Sequence, residues 1–407
     1  MLPHVMASRS RFTGRLVPRW FVGGSIALCA LAATGCRKKK IIDDETLSLA
    51  VGARHACALM INKGVRCWGA NDMGQLGETT REPHPTPVRL RGTTERYTDL
   101  EAGGTMTCAR TQERGVECWG SVRRATSRGD EPVPIDVSSL KDVEQIALGE
   151  SHGCVRLEQG TVRCFGNNDR GQLGAGHTNR LPGVVEVSGL WGVVWLSAGK
   201  EHTCAVLTDT SVRCWGRNHE GQLGDGTTKD SASPVSVAQV QGAKRVAAGG
   251  AHSCALVSDG AVRCWGKNDH GQLGDGTKVR HPIATPVANL SEQKGVAAGD
   301  SHSCSFGVDA SVRCWGQNNH SQMADGTSDD RTTPHRVAGF AGQGITAVPE
   351  QPFALADVKL GDGFTCVRAS DKRIRCGGKN DQGQAGDGTR EVRAVPVGVK
   401  LQKVVEP

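Results

Sequence analysis

Apolar residues recur along this chain in short alternating runs, paired across tight polar turns. In the clearest example, Cys254-Ala255-Leu256-Val257 and Ala261-Val262-Arg263-Cys264 enclose Ser258-Asp259-Gly260. A period of two residues predicts strands. A three-residue loop ending in glycine predicts a hairpin, because glycine accepts the left-handed backbone angle that such a loop needs. Folding the chain about Asp259 sets Cys254 opposite Cys264. Directly opposed antiparallel residues have Cα atoms about 4.5–5.5 Å apart, inside the disulfide range of about 4.4–6.8 Å. The pattern therefore predicts a cross-strand disulfide within the hairpin. Alternation places His252, Cys254, Leu256, Val262 and Cys264 on one face and Ser253, Ala255, Arg263 and Trp265 on the other. Neither face is freely polar, so each sheet is expected to lie sandwiched between neighbours, one sheet's tryptophan packing on the next.

The same phrase occurs seven times. Its leading cysteines are Cys57, Cys108, Cys154, Cys204, Cys254, Cys304 and Cys366, each followed ten residues later by Cys67, Cys118, Cys164, Cys214, Cys264, Cys314 or Cys376. Successive leads are 51, 46, 50, 50, 50 and 62 residues apart. Residues 271–277 read as turns, and Thr285-Pro286-Val287-Ala288 as an outer strand. Four short strands per repeat of about 50 residues predict an all-β fold, a seven-bladed β-propeller over residues 47–407 with one intrablade disulfide per blade. Residues 46–52 and 400–405 both resemble 244–249, so both chain ends are expected to take part in closing the ring.

The run Cys-Trp-Gly-x-Asn-x-x-Gly-Gln-Leu-Gly-Asp-Gly-Thr, as it stands from Cys264 to Thr277, resembles the repeat of the regulator of chromosome condensation family. The resemblance covers nearly the whole chain from about residue 47. It implies a seven-bladed propeller whose flat faces and loops bind other proteins. Members that it resembles include nuclear nucleotide-exchange factors for a small GTPase and secreted bacterial inhibitors of β-lactamase. A shared fold does not carry an activity across.

The N-terminus changes the picture of charge and location. Arg9, Arg11, Arg15 and Arg19 precede an apolar run from Trp20 to Gly35, and no acidic residue occurs before Asp43. This reads as a secretory signal over residues 1–35, too short for a comfortable membrane span. Without its four arginines the formal charge falls from +7 to +3, 45 basic against 42 acidic residues, which is no nucleic-acid footprint. Ala33-Thr34-Gly35-Cys36 resembles a bacterial lipoprotein processing box, although Ala33 departs from the leucine usual at that place. The resemblance implies lipid on Cys36, with a basic linker over 36–46 whose Arg37-Lys38-Lys39-Lys40 would lie beside anionic headgroups. Fourteen cysteines remain in seven equivalent pairs, as an oxidising compartment permits.

Several constellations invite chemistry. His55, His152, His202, His252 and His302 each precede a leading cysteine by two residues, and a His-Cys-Cys cluster per blade has zinc-ligand types. Disulfides with an imidazole bonded to loop backbone are the favoured reading, since Met106 and Phe364 replace the histidine in blades two and seven. Asn71, Asn168, Asn218, Asn268, Asn318 and Asn380 suit a turn that satisfies its own backbone. Asp225, Asp275, Asp325 and Asp387 lack the spacing of an EF-hand calcium loop. Arg66, Arg163, Arg213, Arg263 and Arg313 read as inter-blade packing. No nucleophile elbow, His-Glu-x-x-His or phosphate loop occurs. The expectation is a protein that is not an enzyme, uses no cofactor and binds no nucleic acid.

Partner binding is expected where the repeat breaks its own rule. Blade two replaces its Gly-Gln-Leu-Gly phrase with a stretch carrying Arg123, Arg124 and Arg128. Extra residues occupy 340–353, and Trp191 and Trp195 stand where the next repeat has Gln241 and Arg245. Tryptophan and arginine are enriched in interface hot spots. The chain thus reads as a monomeric, lipid-anchored scaffold of the bacterial envelope, at the outer membrane or cell surface, or otherwise periplasmic or secreted. Its expected partner is an unidentified protein or surface polymer, and its lipid meets the membrane. Alternatives are an inhibitor of a secreted enzyme such as a β-lactamase, or a guanine-nucleotide exchange factor. No long blade insertion suggests a wedge for displacing nucleotide.

Overall fold

The hairpin predicted about Asp259 sets the pattern of the whole structure, a computed structural model that describes residues 45–90, 97–126, 129–133, 137–340, 358–369 and 371–401. Strands His252–Val257 and Val262–Gly266 pair antiparallel with Cys254 opposite Cys264, Leu256 opposite Val262 and Ser253 opposite Trp265. All seven cysteine pairs form the expected disulfides, with Cα separations of 4.0–4.1 Å. That is shorter than the spacing expected of opposed residues, because the bond draws the two strands together at the closer kind of antiparallel pair.

The left-handed turn position is glycine in only two hairpins, at Gly160 and Gly260. Lys63, Arg114, Thr210, Ala310 and Lys372 adopt it with φ between 56° and 66°. An Asn or Asp one residue earlier supports most of these turns from its side chain. Asp209 Oδ1 accepts the Ser211 N–H at 2.9 Å, and Asn62, Asp309 and Asp371 do the same in their hairpins.

Six blades are four-stranded sheets whose strands follow chain order from the axis outwards. In the fifth blade these are Ala243–Ala248, His252–Val257, Val262–Gly266 and His281–Pro286. The second blade has three such strands, Tyr97–Gly103, Met106–Thr111 and Val116–Gly120. Where the Gly-Gln-Leu-Gly phrase is missing, a separate hairpin stands instead, pairing Val122–Thr126 with Gly129–Val133.

Both chain ends take part in closing the ring. Thr46–Val51 is the inner strand of the first blade's own sheet; Lys400 and Leu401 lie in no strand, and 402–405 fall outside the described residues. Each blade is contiguous in sequence, and side chains and loops join the two ends. Trp68 packs with the Cys366–Cys376 face of blade seven and with Leu401. Its indole N–H donates to the Gln384 carbonyl at 2.9 Å. Thr46 Oγ1 donates to the Lys372 carbonyl at 2.7 Å.

That packing repeats around the ring. Trp265 lies on the Cys204–Cys214 face of the preceding blade and Trp315 on the Cys254–Cys264 face; Trp215 and Phe165 serve earlier junctions. Core and disulfide are one layer, because each pair of sulfurs but one lies beneath the next blade's ring. Gly377 supplies no ring between blades six and seven, where Met323 and Phe340 fill the space beside Cys304 and Cys314.

Candidate functional site

The histidines define the blade junctions. His252 Nε2 lies 2.8 Å from Ser303 Oγ of the next blade, and Ser303 Oγ in turn donates to the Gln272 carbonyl at 2.9 Å. The same link joins His55 to Thr107, His152 to Thr203, His202 to Ser253 and His302 to Thr365, at 2.8–2.9 Å. A hydroxyl has one proton, and the glutamine carbonyl takes it. The imidazole therefore donates from Nε2 and leaves Nδ1 bare, in keeping with the absence of a partner at Nδ1 in all five rings. The expected bond to loop backbone is thus corrected to a bond between blades. Burial lowers these imidazoles from 6.5 to about 3 at His55, His202 and His302 and to about 4 at His152 and His252. They are neutral structural groups, and the neighbouring thiols are consumed in disulfides.

The hydroxyl partners escaped the sequence reading, yet the signal was present. Blades two and seven lack the histidine, and the blades that follow them carry Gly153 and Ala56 where the others have serine or threonine. Histidine and hydroxyl are present together or absent together. A Cβ on Gly153 would come within 2.5 Å of the Phe165 ring, so no hydroxyl fits there.

The repeated loops are also structural. Asn268 Oδ1 accepts the Leu273 N–H at 2.9 Å while its amide donates to the Thr277 and Val279 carbonyls. Asp275 Oδ1 accepts from the backbone and hydroxyl of Thr277. The loop then reaches the next blade through Gly276 N–H and the Thr332 carbonyl, 2.9 Å. Of the arginines read as packing, Arg66 reaches the Leu401 carbonyl at 2.6 Å, whereas Arg163 and Arg313 face carboxylates in their own blades.

The inner strands line a central cavity of about 680 Å³. One ring of wall positions reads Ala50, Glu101, Ala147, Ser197, Ala247, Ala297 and Lys359, each opposite a leading cysteine. Its two charged members neutralise each other, with Lys359 Nζ 2.8 Å from Glu101 Oε2 across the first blade. At one mouth the backbone closes in. A Cβ on Gly199 would lie 2.2 Å from the Gly249 carbonyl oxygen, and Gly149 and Gly249 are equally crowded by the next blade. Lys200 N–H donates to the Gly249 carbonyl and Gly250 N–H to that of Gly299. Lys200 Nζ also spans blade five to reach Asp300 at 2.6 Å. Burial pushes the Glu150 carboxyl up, against the pull of Lys200 and with the help of Asp300, Glu201 and Asp362.

The residues singled out for partner binding are placed apart. Trp191 is 72% exposed beside a small surface pocket that includes Leu190, Leu207, Arg213 and Pro234. Trp195 is partly buried in the channel wall; its indole N–H donates to the Val246 carbonyl at 3.0 Å, and Arg245 stacks on its ring at 4.6 Å. Arg123 and Arg124 lie on the blade-two hairpin, opposite Pro132 and Glu131. Arg128, Cys36 and residues 341–357 lie outside the described residues.

These features define a seven-bladed propeller stitched blade to blade by histidine, tryptophan and glycine. The chain belongs to the RCC1-like domain family, which matches residues 28–349. It is 32% identical over 143 residues to the ultraviolet-B receptor UVR8 of Arabidopsis thaliana, covering 33% of this chain and 32% of that protein. It is 32% identical over 138 residues to the human probable E3 ubiquitin-protein ligase HERC3, covering 32% of this chain and 13% of HERC3. These alignments therefore span only a third or less of either relative. Among solved structures it is similar to Prp20p of Saccharomyces cerevisiae, a protein studied for its binding to Gsp1p and histones. The TM-score is 0.65 and the identity 25%, over 78% of this chain and 80% of that one. Human WBSCR16, 20% identical, shares the fold over 83% of this chain and 95% of its own, with a TM-score of 0.68.

Proposed function

We propose that this chain is an exported, lipid-anchored propeller of the bacterial envelope that binds a partner protein and performs no catalysis. One observation carries the reading. Every blade holds a disulfide between opposed strands, and six of the seven pairs are wholly buried, so the core is built for an oxidising compartment. The arginine-led apolar leader and Cys36 agree with export and anchoring. The RCC1-like fold agrees with binding, as Prp20p and its complex with Kap60 illustrate for a relative.

Mass spectrometry of the N-terminal peptide tests the anchor: a diacylated Cys36 is expected, and an unmodified one rejects it. Affinity capture from a native membrane extract tests the scaffold, with one partner in stoichiometric amount as the expected outcome. A second reading, guanine-nucleotide exchange, draws on the likeness to Prp20p over most of both chains. Accelerated release of labelled GDP from a GTPase of the same compartment would establish it.

A further inference from the structure

The second mouth of the channel, at the hairpin end, is asymmetric in a way that the repeat does not require. The residues there occupy two adjacent repeat positions at the start of each inner strand. On blades two and three they include Asp99 and Glu144, whose charges are answered: Glu144 meets Arg114 at 3.3 Å and Arg110 at 3.8 Å, and Lys359 and Arg110 lie near Asp99. On blades four, five and six the same positions carry Val194, Trp195, Lys244, Arg245 and Lys294. Val194 is 39% exposed, and both lysines are exposed.

Arg245 is the telling residue. Its guanidinium carbon lies over the Trp195 ring, 4.6 Å from the centroid, and its buried Nη1 has no hydrogen-bond partner among the described residues. Among the described residues no carboxylate faces it. Burial alone lowers it to about 10, with no acidic neighbour to raise it again. Among the described residues Lys244 Nζ reaches only the Ser258 carbonyl, at 3.0 Å, and Lys294 makes no ion pair. A partly desolvated cation without a counter-charge is costly. A planar guanidinium held on an indole presents a fork matched to a carboxylate.

We infer that this arc is a docking surface for an acidic segment of a partner protein, with Arg245 taking a carboxylate, Lys244 and Lys294 flanking it, and Val194 and Trp195 supplying apolar contact. The inference rests on the scaffold reading and gives its partner a chemistry. Anionic lipid is the competing occupant that the test excludes.

The probe is a fluorescein-labelled peptide of glutamates around one tryptophan, titrated by fluorescence polarisation against the full chain with its disulfides intact. Binding is expected to weaken about tenfold or more in Arg245→Gln, with a comparable loss in the double variant Lys244→Ala, Lys294→Ala. The lysine variants alter exposed groups only, so a folding defect does not mimic the result. A carbodiimide is expected to join the peptide's carboxylates to Lys244 and Lys294. Unchanged affinity in the lysine variant, cross-links elsewhere, no binding, or a preference for phosphatidylglycerol vesicles would each overturn the assignment. A partner captured equally well by wild type and the lysine variant would sink this surface while sparing the scaffold. Capture of nothing by wild type would sink the scaffold itself.

Discussion

At the scale of single residues, the junction histidines show how a chemical motif can be structural. Their type and spacing were legible as a repeated feature, but the partner was not, because the hydroxyl lies in the next repeat and alternation speaks only for one hairpin. The co-occurrence of histidine with Ser or Thr one repeat later is the clue that joins them. It also supplies an internal template, since Phe364 with Ala56 is a natural junction without the link. Ser303→Ala should cost about 1–3 kcal/mol, because it strands the buried Nε2–H of His252. Gln272 keeps a donor in the Trp315 indole, 2.9 Å away. The pair His252→Phe with Ser303→Ala should be more stable than the sum of the single changes predicts, by about 1 kcal/mol. Urea midpoints of the four proteins measure this coupling, and strict additivity would refute it. A second residue-scale expectation concerns Thr210, a β-branched residue held at φ 65°. Thr210→Gly should stabilise by about 0.5–1 kcal/mol, the strain removed exceeding the added freedom of the unfolded chain.

Among the elements, the hairpins were the most readable feature because period-two alternation and a ten-residue cysteine spacing fix one register. A slip of one residue would turn every cysteine to the opposite face. The turns were read less well. Glycine at the third loop position looked necessary, but an Asn or Asp beside it lets lysine, threonine or alanine take the same angle. Blade two's separate hairpin was not foreseen, since a missing phrase says what is absent and not what replaces it. The glycines before the histidine loops were visible in sequence and their reason was not: at Gly149, Gly199 and Gly249 the next blade's carbonyl approaches too closely for a Cβ. Gly199→Ala should therefore destabilise by about 1–3 kcal/mol, as overpacking against backbone cannot relax through a side chain. Gly398→Ala is the control, because nothing lies within 4 Å of the new methyl. Thermal midpoints that shift equally in the two variants would remove the close approach as the cause.

For the whole molecule the question is what holds a ring whose sheets share no strand. Two devices recur, the aromatic ring on the neighbour's disulfide face and the histidine link, and no junction lacks both. Blades two and three keep Phe165 without the link, blades seven and one keep Trp68 without it, and blades six and seven keep His302 with Thr365 where Gly377 replaces the tryptophan. Cohesion spread this way makes the ring's stability depend on pH through five buried imidazoles together. Each titrates at about 3 or 4 in the folded ring, against about 6.5 once unfolded. Below pH 6.5 the unfolded chain binds protons that the folded ring refuses, so stability rises with pH up to about 6.5 and is lost as pH falls. The loss approaches about 1.4 kcal/mol per histidine for each pH unit below that point. Asp99, Glu101 and Glu150, raised by burial, act in the opposite sense and soften the slope at its acid end. The measurement is the free energy of urea unfolding between pH 7.5 and 5, with disulfides intact. Its slope should fall by about one proton in the pair His252→Phe with Ser303→Ala, because a single junction has been made indifferent to acid. A slope unchanged by that pair would mean that the imidazoles do not carry the acid sensitivity and that the carboxylates of the loops do.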